Sequence, residues 1–197
     1  MASTIEWIER APLLIAVEGP DGAGKTTLVR RLALDALHPH VNVTTFHHGR
    51  STNSSPVAQA LDYAMQRANI QPRIPRRRTE HPAEAKDEVM LFDRWWPSNG
   101  CSAQPEGRLL ASVESTWLPR LDGIIWCDAP DAVLDERLNQ RGERVIAADA
   151  EIRSRYRAMC ALPNGRWWTS SIRLDTSKED AVLVAARYVL NLAEGTR

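Results

Sequence analysis

Nine consecutive residues, Gly19-Pro20-Asp21-Gly22-Ala23-Gly24-Lys25-Thr26-Thr27, have the types and spacing to hold a triphosphate. They satisfy G-x-x-x-x-G-K-[ST] at each fixed position. The glycines let the backbone curl so that successive N–H groups point inward, and a helix start adds partial positive charge. Lys25 is placed to reach the β- and γ-phosphates and the Thr26 hydroxyl to hold Mg2+. The segment Gly19, Asp21, Gly22, Ala23, Gly24, Lys25, Thr26 and Thr27 is thus the candidate ATP grip.

A second set of residues could serve the same chemistry. Asp93 follows the apolar run Val89-Met90-Leu91-Phe92, the place for a carboxylate that helps hold Mg2+, with a helix cap or an ion pair with Arg94 as the plain alternative. Arg94 and Arg50 offer planar forks for the phosphate of a second substrate. Arg141 and Arg144 follow a predicted helix and suit a lid over transferring phosphates; Arg137 is as readily a helix-face charge. Trp95-Trp96 either wall an acceptor pocket or pack between helix and sheet. The run Arg73-Ile74-Pro75-Arg76-Arg77-Arg78 lines an anion groove or is a solvated face, and Trp167-Trp168 reads as core or interface. His47-His48 has no partner at ligand spacing, and no metal site is expected there.

These groups need elements to position them. Strand-like and helix-like apolar runs alternate along the chain, the signature of α/β architecture. Strands are expected at Leu13–Val17, Val41–Phe46, Val89–Phe92, Gly123–Cys127 and Ser171–Leu174. Helices are expected at Leu28–Leu37, Val57–Ala68, Leu109–Leu118, Ala132–Leu138, Glu151–Met159 and Glu179–Leu192. In the second helix the apolar spacing picks out Val57, Leu61, Ala64, Met65 and Ala68. Ligands of open α/β sheets bind beyond the C-terminal strand ends, which points to the loops after each strand.

Composition narrows the class. The 197 residues suit a single domain. Twenty-five basic residues balance 25 acidic ones, so no global charge favours nucleic acid or membrane. Three cysteines without a CxxC argue against a disulfide framework or a zinc site. The absence of a basic, apolar leader or a long apolar run sets a cytoplasmic expectation, with no membrane partner.

Taken together, the phosphate loop from Glu18 to Thr27, Asp93-Arg94-Trp95, Asp128-Ala129-Pro130 with Arg137-Leu138 and Arg141-Gly142-Glu143, and Leu174-Asp175-Thr176-Ser177 resemble the thymidylate kinase family, in order and over nearly the whole chain. The resemblance implies a three-layer P-loop nucleoside triphosphate hydrolase fold with a five-stranded parallel sheet flanked by helices. It implies ATP with Mg2+ as donor, a pyrimidine deoxynucleoside monophosphate such as dTMP as acceptor, and a possible homodimer. It gives Asp21 a contact to the acceptor and Arg50 and Arg94 the acceptor phosphate. Arg141 or Arg144 would cover the donor phosphates, and Asp175 and Thr176 would surround adenine. The lid falls at about 141–150 and the acceptor segment at about 47–86. After the second strand the family usually carries an Arg-Glu-Pro-Gly-Gly-Thr type of loop; here Phe46-His47-His48-Gly49-Arg50-Ser51-Thr52 stands instead, and Arg78 is a loose counterpart of the base-binding arginine.

Two other readings stay open. One is a kinase for a hydroxyl, on a deoxynucleoside or on a hydroxymethylated pyrimidine in DNA, which needs a carboxylate base from Glu18, Asp21 or Asp93. The other is a nucleotide-dependent regulator, although the Asn-Lys-x-Asp of GTPases is absent.

Overall fold

The computed structural model describes residues 8–47, 56–70, 77–79, 87–102, 105–163 and 166–195. A short strand β1 (Ile8–Arg10) leads into β2 (Leu13–Glu18), the glycine loop and α1 (Lys25–Arg31), which runs on as a π-helical turn over Leu32–Ala36. Then come β3 (Asn42–His47), α2 (Pro56–Ile70), β4 (Arg77–Thr79), β5 (Glu88–Asp93) and the short α3 (Trp96–Gly100). The chain continues through α4 (Pro105–Trp117), β6 (Leu121–Asp128), α5 (Asp131–Gln140), α6 (Ala147–Cys160), β7 (Trp168–Asp175) and α7 (Ala181–Gly195).

Five parallel strands form one sheet in the order β3-β5-β2-β6-β7. Period-two alternation sends successive side chains to opposite faces. Leu13, Ile15, Val17, Leu91 and Cys127 thus join one core with α1 and α7. Leu14, Ala16, Phe92 and Trp126 join the other, with Trp95, Trp96 and Tyr156. Both faces of the central strands are covered, so those strands read as continuous apolar runs. β3, the most polar of the expected strands, lies at a sheet edge.

Helix α2 departs from the apolar-spacing reading. Ala64 is buried, but Leu61 and Met65 are exposed and Arg67 is buried instead. Arg67 donates from Nε and Nη2 to the two carboxylate oxygens of Glu114 on α4, at 2.6 and 2.9 Å. Asn99 of α3 donates to the same carboxylate at 2.9 Å. A buried pair is tolerated only when its remaining polar atoms are satisfied, and Asn99 helps to satisfy Glu114. The cluster ties α2, α3 and α4 together. Strands β1 and β4 pair antiparallel, Glu9 opposite Arg78, across a sequence separation that local patterning does not register.

No helix among the described residues is long and apolar enough to cross a membrane.

Candidate functional site

The sheet ends its strands on Glu18, His47, Asp93, Asp128 and Asp175, all on one rim. The glycine loop crosses that rim. Gly22 and Gly24 take φ of 83° and 74°, the left-handed region that glycine enters without a Cβ penalty. At Gly19 an added Cβ would lie 2.1 Å from the Cys127 carbonyl oxygen, an impossible contact with backbone that cannot yield. Gly19→Ala is therefore expected to destabilise the fold by at least about 2 kcal/mol, read as a lower urea midpoint. Gly24→Ala, with nothing nearer than 3.7 Å, should cost only the left-handed conformation, about 1 kcal/mol.

The loop and its neighbours bring several of the expected residues together. Lys25 is buried, and its ammonium donates to the Pro20 carbonyl at 2.7 Å. Thr26 donates its hydroxyl to Asp93 Oδ2 at 2.6 Å. A hydroxyl and a carboxylate at the loop base are hard oxygen donors of the kind Mg2+ prefers, so this pair fits the ion. Arg94 donates to Asp21, to the Tyr156 hydroxyl at 3.2 Å and weakly to Ser98. Its backbone sits at φ 77°, the one positive φ outside glycine among the described residues. Glu18 lies beneath, fully buried, accepting from the Trp95 N–H and the Ser98 hydroxyl. Burial pushes its carboxyl up in pKa.

A cleft of about 390 Å³ opens beside the loop, bounded by Gly22, Gly24, Thr27, Arg137, Arg141 and Thr176. That volume suits a nucleoside. Arg137, read as an even choice between lid and helix face, is neither free nor on a lid. It donates to the Gly22 carbonyl at 3.2 Å and to the hydroxyl and carbonyl of Thr176 at 3.0 Å each. It thus clasps the glycine loop to the loop after β7. Thr176 is further fixed by donating its N–H to the Asp128 carbonyl. Asp175 closes a turn by accepting from the Ser177 N–H and hydroxyl. Arg141 is exposed at the end of α5, with its charge felt at Asp21. Arg144 is exposed in the stretch between α5 and α6.

Other expectations change. Trp95 does not wall a pocket: its ring is fully buried, 4.4 Å from Phe92, and its backbone N–H is what serves the site. The apolar surroundings of an aromatic next to a buried strand end decided this. Arg50 and His48 lie outside the described residues, as does most of the arginine run. Arg78 stands in β4 opposite Glu9. His47, which has no partner at metal-ligand spacing along the sequence, has its Nδ1 3.2 Å from Asp93 Oδ2. Its partner comes from the neighbouring strand, where His47 and Asp93 are direct ladder partners. Tyr156 and Ser98, which orient Arg94, gave no separate signal because they gather from helices far apart in sequence.

Burial, with the Arg94 charge next, pushes the Lys25 ammonium down to about 8. A bound polyphosphate favours the charged form and raises that value again. Nucleotide affinity should therefore fall as pH rises from 7 to 9, and at pH 8 binding should take up roughly half a proton through Lys25. Calorimetry in two buffers of different ionisation enthalpy measures that uptake, and Lys25→Met should remove it.

No family model matches the chain. Curated proteins do. The chain is similar to the thymidylate kinase of Xanthomonas euvesicatoria pv. vesicatoria (strain 85-10), 35% identical over 156 residues, which cover 71% of this chain and 66% of that protein. It is 34% identical over 152 residues to the thymidylate kinase of Xanthomonas campestris pv. campestris (strain B100), covering 69% and 65%. It is 31% identical over 145 residues to that of Xylella fastidiosa (strain 9a5c), covering 66% and 67%. The matched region thus spans just under two thirds of the first two relatives' length.

Proposed function

The chain belongs to the thymidylate kinase family, and we propose that it transfers the γ-phosphoryl group of ATP to dTMP, yielding dTDP and ADP. The observation that carries this reading is the convergence of two anion-binding subsites on one sheet rim. Lys25 and the Thr26–Asp93 pair stand at the glycine loop, and Arg94 stands beside them, joined through Asp21. One subsite suits the phosphates of a donor and the other the phosphate of an acceptor.

Phosphoryl transfer between two phosphates needs positioning and charge neutralisation more than proton removal. In this reading the glycine loop and Lys25 hold the β- and γ-phosphates of ATP, whose nucleoside fills the cleft between Arg137, Thr27 and Thr176. Thr26 and Asp93 would hold Mg2+, which would supply neutralisation of the charge on the transferring phosphates. Arg94, oriented by Tyr156 and Ser98, grips the acceptor phosphate through its planar fork, with Asp21 beside it and Arg50 and Arg78 from the acceptor segment 47–86. Arg141 and Arg144, in a lid at 141–150, cover the transferring group. Transfer to a hydroxyl is less well served. Glu18 has both oxygens engaged and no exposure, Asp21 is paired with Arg94, and Asp93 Oδ2 is engaged by Thr26 and His47, so none of the three candidate bases stands ready to accept a proton.

The test is a panel of nucleoside monophosphates, deoxynucleosides and hydroxymethylated DNA incubated with γ-labelled ATP and Mg2+. Label appearing in dTDP is the expected result. Label on a nucleoside or on polymer DNA, or released only as inorganic phosphate, would overturn the proposal.

A homodimer belongs to the same reading. Leu109, Val113 and Trp117 form an exposed stripe at i, i+4, i+8 on α4, and Leu61 and Met65 are exposed on α2, which packs against it. Exposed apolar side chains on two neighbouring helices suit an isologous contact. Met65→Glu combined with Leu109→Glu should shift sedimentation from dimer to monomer without lowering the melting temperature of the monomer fold.

A further inference from the structure

The imidazole of His47 stands where an all-oxygen magnesium site has no use for one. β3 and β5 are parallel and in register, so His47 and Asp93 end their strands side by side. His47 Nδ1 lies 3.2 Å from Asp93 Oδ2, and the Thr26 hydroxyl lies 2.6 Å from that same oxygen. Donors at adjacent corners of an octahedral metal site are about 3 Å apart when metal–ligand bonds are about 2.1 Å. Both separations are close to that spacing. Asp93 Oδ2 thus has a hydroxyl oxygen and an imidazole nitrogen each at about the spacing of neighbouring ligands.

Resting on the phosphoryl-transfer reading above, we propose that His47 Nδ1 is a protein ligand of the nucleotide-bound divalent ion, and that the site takes Mn2+ in preference to Mg2+. Mg2+ dehydrates reluctantly and selects oxygen, whereas first-row transition ions accept imidazole readily. The proton of the neutral ring then resides on Nε2, leaving the Nδ1 lone pair for the metal. His47 is about half exposed, so its ring has room to exchange its hydrogen bond to Asp93 for a bond to the ion. Among the described residues no group of three or more His, Cys, Asp or Glu could hold a metal unaided. The remaining positions must come from phosphate oxygens and water, so tight binding of the ion requires the nucleotide.

The experiment uses the full chain with Mn2+ and ADP. Electron spin-echo spectroscopy of the bound Mn2+ should show nitrogen coupling from a ligated imidazole. That coupling should change isotope signature when the protein carries 15N-histidine, which separates it from the adenine nitrogens, and it should vanish in His47→Ala. The Mg2+ concentration that displaces half of the Mn2+ should fall about tenfold in His47→Ala. His47→Gln, which keeps a polar side chain of similar size, separates His47 from the other four histidines if the alanine variant does not fold. Saturable Mn2+·ADP binding without histidine coupling, and with unchanged displacement, would overturn the inference while leaving the nucleotide grip intact. Absence of any saturable Mn2+·ADP binding would instead overturn the grip itself, and the inference with it.

Discussion

Replacing Lys25 with alanine is expected to lower phosphoryl transfer by about 10³-fold or more while the protein stays folded. The ammonium is buried inside the glycine loop and donates to the Pro20 carbonyl at 2.7 Å, so it is held in place before any phosphate arrives. A preorganised charge needs no reorganisation at the moment of reaction and acts in a site with little water. Its removal also relieves a buried charge, whose cost is reflected in the lowered Lys25 pKa of about 8. Stability should therefore hold or rise slightly as activity is lost. Steady-state rates together with thermal melts check both halves. Unaltered turnover in the folded variant would contradict the role.

Arg94 carries the second large effect, and there the backbone separates function from stability. Its guanidinium is fixed by Asp21, Tyr156 and Ser98, and its φ of 77° is one that side-chain-bearing residues rarely adopt. Such strain is typical of residues whose placement serves a site. Arg94→Ala and Arg94→Gly should each lower kcat/KM for dTMP by about 10²- to 10³-fold, with KM for ATP little changed. Glycine relieves the left-handed conformation and alanine does not. The glycine variant should therefore be the more stable of the two by about 1 kcal/mol. Equal stability would show that the strain is absent. Retained dTMP turnover would place the acceptor phosphate away from Arg94.

The parts of this site that could be read from sequence are those that local spacing controls. Leu13 to Arg31 is strand, glycine loop and helix because apolar residues precede the glycines and helix formers follow them. Asp93 could be found because it ends an apolar run, and Asp175 through the resemblance carried by Leu174-Asp175-Thr176-Ser177. What escaped depends on contacts between distant segments. His47 meets Asp93 only because β3 and β5 pair in one register. Tyr156 reaches Arg94 from α6, 62 positions away. The apolar spacing put Leu61 and Met65 on the inner face of α2, but a carboxylate on α4 and an amide on α3 draw Arg67 inside and leave those two exposed. Trp95 has the residue type of a stacking wall, but Phe92 beneath it completes a core. The helix expected at Leu28–Leu37 begins earlier, at Lys25, and loosens into a π-helical turn.

A crystal structure of the full chain with ADP and dTMP tests the central claim most directly. The account predicts the ADP β-phosphate inside the loop at residues 19–27, within hydrogen-bond reach of Lys25, and the dTMP phosphate on the Arg94 guanidinium. The two phosphates would then face each other across the space between Asp21 and Asp93. Either nucleotide bound away from these groups, or phosphates too far apart and out of line for direct transfer, would contradict it.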